Sequence, residues 1–299
     1  MKYKVLSILF ILIILVGVGV LAYPFVMSMV SSANQSAVVS DYNNKVDEAT
    51  QTERDQMLEI AQRYNKSLFG NVVLTDPFDE ENQVNKSENF NYEEILSMDK
   101  NGTMGYITIP SIDVNLPIYH GTEDARLQLG VGHLVNSSLP VGGPTTHSIL
   151  AGHTGLPDAT LFTNLTDVVE GDCFYIHILG EVHEYKVDQI KVVEPSNVSD
   201  FVIVPEKDYI TLVTCTPYGI NSHRLLVRGV RTDYDISQEV YEEVIESKND
   251  GFYIDNLYIP YNVFFIVLGC IGFAFVLFIV IIIVRKKKRK NKNKHLKEE

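Results

Sequence analysis

Two long apolar segments sit at the two ends of this chain and set the surroundings in which everything between them must fold. Residues Val5 to Val20 are almost wholly apolar, follow Lys2 and Lys4, and run on through Leu21-Ala-Tyr-Pro-Phe-Val-Met27. That run is long enough to cross the ~30 Å hydrocarbon layer as a helix. Val263 to Val284 carries no charge and is followed at once by Arg285-Lys-Lys-Lys-Arg-Lys290. A basic block beside an apolar span marks the cytoplasmic side, and Lys2 and Lys4 mark it for the first span. The expected topology is two spans in a cell membrane, with both termini cytoplasmic and residues 32–260 outside. A cleaved export signal is the alternative for the first segment, with Ser31-Ser-Ala33 as the candidate cleavage site. The expected divisions are an N-terminal anchor at 1–30, a helical segment at 31–100 and a β domain at 101–235. A juxtamembrane linker at 236–262, a second span at 263–284 and a basic tail at 285–299 follow.

The charge balance separates the external part from the tails. The chain holds 25 Lys and Arg against 38 Asp and Glu. The two ends carry eleven of the basic residues and two of the acidic ones, so the part between has 14 against 36, a net of −22. Such a domain repels nucleic acid, and membrane lipid is the natural partner of the apolar ends. Only Cys173 and Cys215 lie outside; Cys270 falls within the second span. A disulfide between the two external cysteines is one reading for an exported protein, but ~230 residues can build a core without one.

Residues Ser40 to Asn71 are polar, with Val46, Met57, Ile60, Ala61 and Tyr64 recurring at helical spacing, which predicts one or two surface helices. Asp76-Pro-Phe-Asp-Glu-Glu81 interrupts this as a loop, and Phe90 to Met98 reads as a short helix. From Met104 the pattern turns to β, with eight expected strands: 105–109, 114–119, 132–135, 147–151, 173–179, 182–193, 210–215 and 225–230. Short helices are expected near 123–129 and 159–168. Many short strands in one unit suggest a closed barrel or a sandwich.

Cys215 ends the run Tyr209-Ile-Thr-Leu-Val-Thr-Cys215, and Arg224 opens the next, with a loop rich in Pro, Gly and Asn between them. This predicts an antiparallel hairpin that sets a thiol beside a permanent cation. A neighbouring cation favours the nucleophilic thiolate; a Cys at a strand end is also a common buried hydrophobe. A nucleophilic thiol needs a proton partner, and His is the usual one. His153 ends Ile149-Leu-Ala-Gly-His153 at a strand terminus, while His120, His133 and His223 compete with it on position. His177 and His183 lie in an expected hairpin and His295 in the tail. No zinc, phosphate-loop or dinucleotide pattern occurs, so no metal or cofactor is expected.

Several segments together carry a family resemblance. Thr211-Leu-Val-Thr-Cys215 resembles the nucleophile motif of the sortases, cysteine transpeptidases of the Gram-positive cell surface. The segments from Thr216 to Gly229, Leu150 to Pro157, Gly130 to Leu134 and Pro140 to Gly143 are similar to class C, the pilin-polymerising branch. Asp76-Pro77-Phe78 resembles the class C lid, and the C-terminal span with its basic end is typical of that class. The resemblance implies an eight-stranded barrel with Cys215, His153 and Arg224 around one groove. It implies cleavage of an LPxTG-like sorting signal between Thr and Gly through a Cys215 thioester, within the cysteine-peptidase class of hydrolases. His153 would act as acid and base, Arg224 would hold substrate or oxyanion, and Asp76, Pro77 and Phe78 would cover the groove. The implied partners are pilins bearing the signal and an acceptor amine, a pilin lysine or else a cell-wall peptide. A protease that releases product to water, and a membrane-tethered β domain without catalysis, are the competing readings.

Overall fold

The computed structural model describes residues 2–70, 74–79, 90–98, 102–232, 251–254 and 257–260. The expected span at 263–284 and the basic tail lie outside these residues. The N-terminal apolar run opens helix α1 (Lys2–Glu48), which carries Pro24 and passes residue 30 without a break. Among the described residues it is the one helix long and apolar enough to cross a membrane. Its last turns change character. Val39, Tyr42 and Val46 recur on one face and are buried. The Tyr42 hydroxyl donates to Met104 O at 3.2 Å and accepts from Leu179 N at 2.9 Å. One rod of helix therefore joins the apolar segment to the β domain.

The polar stretch after residue 40 is thus the end of α1 together with a second helix, α2 (Gln51–Leu68). Thr50 separates them because it caps α2. Its hydroxyl accepts from Glu53 N while Glu53 accepts from Thr50 N at 2.8 Å. α2 buries Ala61, Tyr64, Asn65 and Leu68. The Asn65 amide meets both Leu139 O at 3.0 Å and Leu139 N at 2.7 Å, which docks the helix on the domain. The helix expected over 90–98 shrinks to one 3-10 turn, Tyr92–Glu94, because Leu96 takes a left-handed φ of 63°. The one expected over 159–168 becomes a 3-10 turn at Thr163–Asp167 after Leu161 at φ 41°.

All eight expected strands form: β1 (Thr103–Ile109), β2 (Val114–His120), β3 (Val131–His133) and β4 (Thr146–Ala151), then β5 (Cys173–Ile178), β6 (Glu181–Val193), β7 (Asp208–Thr216) and β8 (His223–Arg231). They close into a barrel in the order β1-β2-β3-β4-β7-β8-β6-β5. β5 and β6 are joined by Leu179 and Gly180, both at positive φ, as a tight hairpin turn requires. β2–β3 and β4–β7 are parallel pairs, so the sheet is mixed. β7 lies between β4 and β8, and Tyr209 to Thr214 shows no alternation of buried and exposed residues. A strand covered on both faces needs no alternation, and residues 209–214 are all buried. Between β2 and β3, helix α3 (Asp124–Leu127) falls within the expected 123–129.

A separate unit begins at Glu246. Within it β9 (Gly251–Ile254) and β10 (Leu257–Pro260) pair antiparallel as a two-stranded sheet, in the stretch expected to be linker.

Candidate active site

Three strand ends build the site. Cys215 near the end of β7 pairs directly with Arg224 near the start of β8, as the hairpin pattern predicts. On the other edge of β7, β4 runs parallel to it up to the pair Ala151–Val213. Gly152 N then donates to Val213 O at 3.0 Å, and the Thr214 hydroxyl donates to Gly152 O at 2.7 Å. These bonds tie the chain to β7 up to the point where His153 leaves β4. Gly152 is needed there because a Cβ would lie 2.6 Å from the Phe162 ring. Thr211 receives a different partner, His147 Nε2 at 2.8 Å, and His147 Nδ1 lies 2.9 Å from Val202 O. Both threonines before the thiol thus bind β7 to its surroundings.

Residues 74–79 lie over this end of the barrel. Asp76 forms a two-pronged pair with Arg224, Nε to Oδ1 at 2.9 Å and Nη2 to Oδ2 at 2.6 Å. Both side chains are 12% exposed. The segment is tightened by Phe78 N on Asp76 Oδ1 and Asp79 N on Asp76 O. The Phe78 ring lies 5.0 Å below the guanidinium carbon of Arg224 and 5.9 Å from the ring centre of His153. Leu74 and Phe78 pack on an apolar floor of Leu127, Leu134, Ile149, Ala151, Phe201, Val213 and Leu226. Pro77 is buried.

This cover changes the electrostatics expected from the hairpin alone. Burial pushes the Cys215 thiol pKa above its ordinary value; Arg224 pulls it down, and Asp76 pushes it up again. Desolvation outweighs the cation, so the covered thiol holds its proton more tightly than a free one. The guanidinium is shared between a carboxylate and a thiol, and the carboxylate takes its Nε and Nη2 while Nη1 donates to Asn221 O and His223 O.

His153 Nε2 lies 3.1 Å from Asp124 Oδ1, at the first residue of α3. The sequence gives no sign of this partner, because 29 residues separate the two and only the β2–β3 crossover brings α3 to the β4 end. The competing histidines go elsewhere. His120 and His133 are buried in a network around Tyr92, whose hydroxyl is 2.7 Å from His133 Nδ1. His177 and His183 are buried in the barrel wall, His177 stacked on Tyr106 at 4.1 Å. His223 pairs with Thr216, and its Nδ1 is 2.8 Å from the Ser222 hydroxyl. Cys173 and Cys215 are both free thiols, which removes the disulfide reading; they stand on β5 and β7, which are not neighbours. Among the described residues no cluster of His, Cys, Asp and Glu could hold a metal ion.

The sortase-domain family model matches residues 107–232. Among curated proteins the chain is similar to sortase A of Listeria monocytogenes, 36% identical over 132 residues covering 44% of this chain and 57% of that one. It is also similar to sortase A of Bacillus anthracis, 30% identical and covering 61% of it; the chain thus spans under two thirds of these relatives. Solved structures match more broadly. Sortase C-1 of Streptococcus pneumoniae is 46% identical, covers 66% of this chain and 99% of its own, and has a TM-score of 0.59. Sortase C1 of Streptococcus agalactiae is 42% identical at 69% and 98% coverage, with a TM-score of 0.61. A further structure of the Streptococcus pneumoniae sortase C, 40% identical and covering 67% of this chain and 99% of its own at TM-score 0.60, addresses that enzyme's pilin substrate specificity. Its closed eight-stranded barrel and its match to nearly the full length of these structures make this chain a member of the sortase family, in class C.

Proposed function

We propose that this chain is a membrane-anchored transpeptidase that cleaves an LPxTG-like sorting signal and passes the acyl group to an amine, a pilin lysine in pilus assembly. The observation that carries this reading is the pairing of Cys215 with Arg224 on adjacent strands, beside the strand end that delivers His153. Cys215 Sγ attacks the Thr carbonyl of the signal. The negative charge that develops on the carbonyl oxygen is met by Arg224, a fixed cation in a partly desolvated site, where such a donor has most leverage. His153 gives a proton to the leaving amine and later takes one from the incoming amine. The thioester excludes no acceptor by itself; an amine outcompetes water when the site positions it.

Asp76, Pro77 and Phe78 form a lid in this reading. With the lid down, Asp76 holds Nε and Nη2 of Arg224 while Nη1 donates to Asn221 O and His223 O, Phe78 lies against His153, and the thiol is desolvated. Substrate entry requires the lid to leave, which frees Nε and Nη2 of Arg224 and uncovers the thiol together. α1 is the proposed N-terminal anchor and 263–284 the second span, with the barrel outside the cell and both termini inside.

The test is to incubate the full-length protein with a sorting-signal peptide and a primary amine. An amide product whose yield rises with amine, and which Cys215→Ala does not form, is the expected result. Hydrolysis indifferent to amine would make the protein a protease, and an unchanged peptide would leave a β domain without catalysis.

A further inference from the structure

Resting on the transpeptidase reading, we propose that Asp124 is a positioning residue that fixes the His153 imidazole in the Nε2–H form, leaving Nδ1 as the nitrogen that moves protons. A carboxylate accepts hydrogen bonds and cannot donate them. The 3.1 Å contact from Nε2 to Asp124 Oδ1 therefore requires the hydrogen to sit on Nε2. A neutral imidazole has one N–H, so Nδ1 carries the lone pair.

Asp124 is itself held. Its other oxygen, Oδ2, accepts from the Gln128 side chain at 2.6 Å. Gln128 N donates to Asp124 O at 3.0 Å in the single turn of α3. Leu127, one residue before Gln128, is buried in the apolar floor under the lid. The carboxylate thus belongs to a short element pinned to the site's own floor. The His153 side chain is 21% exposed and that of Asp124 is 61% exposed. Attraction in such a solvated pair is weak. What the contact supplies is direction, by removing the flipped ring and the other tautomer.

The proton balance follows. In acylation the thiol proton passes to Nδ1 as the C–S bond forms, and from Nδ1 to the leaving nitrogen as the C–N bond breaks. In the second half the incoming amine gives a proton to Nδ1 as the new C–N bond forms. That proton returns to Sγ as the C–S bond breaks. The Nε2 hydrogen stays between the ring and Asp124 throughout, and the carboxylate is never protonated. A buried carboxylate in the corresponding role of a serine-protease triad is worth ~10⁴ in kcat. Asp124 is solvated and is expected to be worth less, about 10- to 100-fold.

The experiment uses the full-length protein with ¹⁵N-labelled histidine and the variants Asp124→Ala, Asp124→Asn and Asp124→Glu. The His153 ring signals are assigned by their loss in His153→Ala. In wild type at a pH where the ring is neutral, Nε2 is expected to be the hydrogen-bearing nitrogen and Nδ1 the bare one. Asp124→Ala should give a mixture of tautomers, lower kcat by about 10- to 100-fold and leave KM within about twofold. Asp124→Glu should recover most of kcat, and Asp124→Asn should fall between. A wild-type ring with its hydrogen on Nδ1 would overturn the proposal, even if Asp124→Ala failed to fold. So would an Asp124→Ala enzyme with unchanged tautomer and kcat. Failure of the underlying reading has a different signature: wild type and Cys215→Ala would treat the peptide alike, whatever the His153 tautomer.

Discussion

Asp76 takes both Nε and Nη2 of Arg224, at 2.9 and 2.6 Å, across 148 residues of sequence. A guanidinium offers its fork in one plane, and a carboxylate fills that fork. While this pair lasts, those two donors are unavailable to a substrate carbonyl. In the proposed reading, the residue that steadies the lid also holds back the site's cation.

Opening the lid should show first in the thiol. Asp76→Ala with Phe78→Ala removes the carboxylate that raises the Cys215 pKa and part of the burial that raises it most. Thiolate is the form that alkylates, so the pH profile of Cys215 alkylation should move to lower pH. At pH 7 the rate should rise about tenfold for each ~1.4 kcal/mol of docking lost. Alkylation rates against pH, in wild type and double mutant, decide it. Superimposed profiles would mean that the loop does not guard the site.

Exchanges at the site itself should separate charge from shape. Cys215→Ala should abolish thioester formation and leave the fold intact, since the side chain is small and partly exposed. His153→Ala and Arg224→Ala should each lose ~100-fold or more in kcat/KM. Arg224→Lys keeps the charge but loses the planar fork, and should lose most of the rate as well. Steady-state kinetics with a sorting-signal peptide test all four. Near-normal turnover by Arg224→Lys would show that a point charge suffices.

Acid should unfold the barrel earlier than its carboxylates alone would dictate. Burial lowers the pKa of His133 and His177 to about 3, and that of His147 and His183 to about 4. These groups bind protons in the unfolded chain below ~6.5 but stay neutral when folded. Their contribution to stability is whole above pH ~6.5 and is lost as pH falls toward about 4 for His147 and His183 and about 3 for His133 and His177. Each fully titrating group adds a slope of about 1.4 kcal/mol per pH unit. Urea unfolding between pH 6.5 and 4 should show stability rising with pH, with His147→Gln reducing the slope by about one proton. A flat dependence would contradict burial of neutral rings.

The proposed topology makes a simple forecast. A protease added to intact, wall-stripped cells should digest residues 40–260 and spare a tag after Glu299. Removal of Val263 onward should leave the barrel folded, because its last strand ends at Arg231. Digestion of the tag would overturn the two-span arrangement.

Much of the barrel was legible because its strands announce themselves locally. The β5–β6 and β7–β8 hairpins need only a turn and two β runs, and they set Cys215 beside Arg224. A closed barrel was among the expectations, but the order of its strands was not legible. Nothing in the spacing says that β4 lies parallel to β7, or that β8 prefers β6 to β5. Those choices depend on which buried faces meet. Asp124 was missed for the same reason, since its meeting with His153 is made by a crossover and not by a neighbour in sequence. The unbroken path of α1 past residue 30 was missed because hydropathy reports where a helix changes surroundings, not whether it stops. The rise in the Cys215 pKa needed the position of residues 74–79, which the hairpin does not contain.

The continuity of α1 has a mechanical consequence. A linker would let the domain tumble about its anchor; a helix fastened by Tyr42 to Met104 and Leu179 transmits torque instead. In the proposed topology, tilting the rod within the bilayer swings the groove through the same angle, and twisting it points the groove toward a different neighbour. Height is set likewise, at ~1.5 Å for each residue between bilayer and Tyr42. In that topology such a mount would work as a jig, holding the groove at one level above the bilayer and tying its bearing to that of the helix.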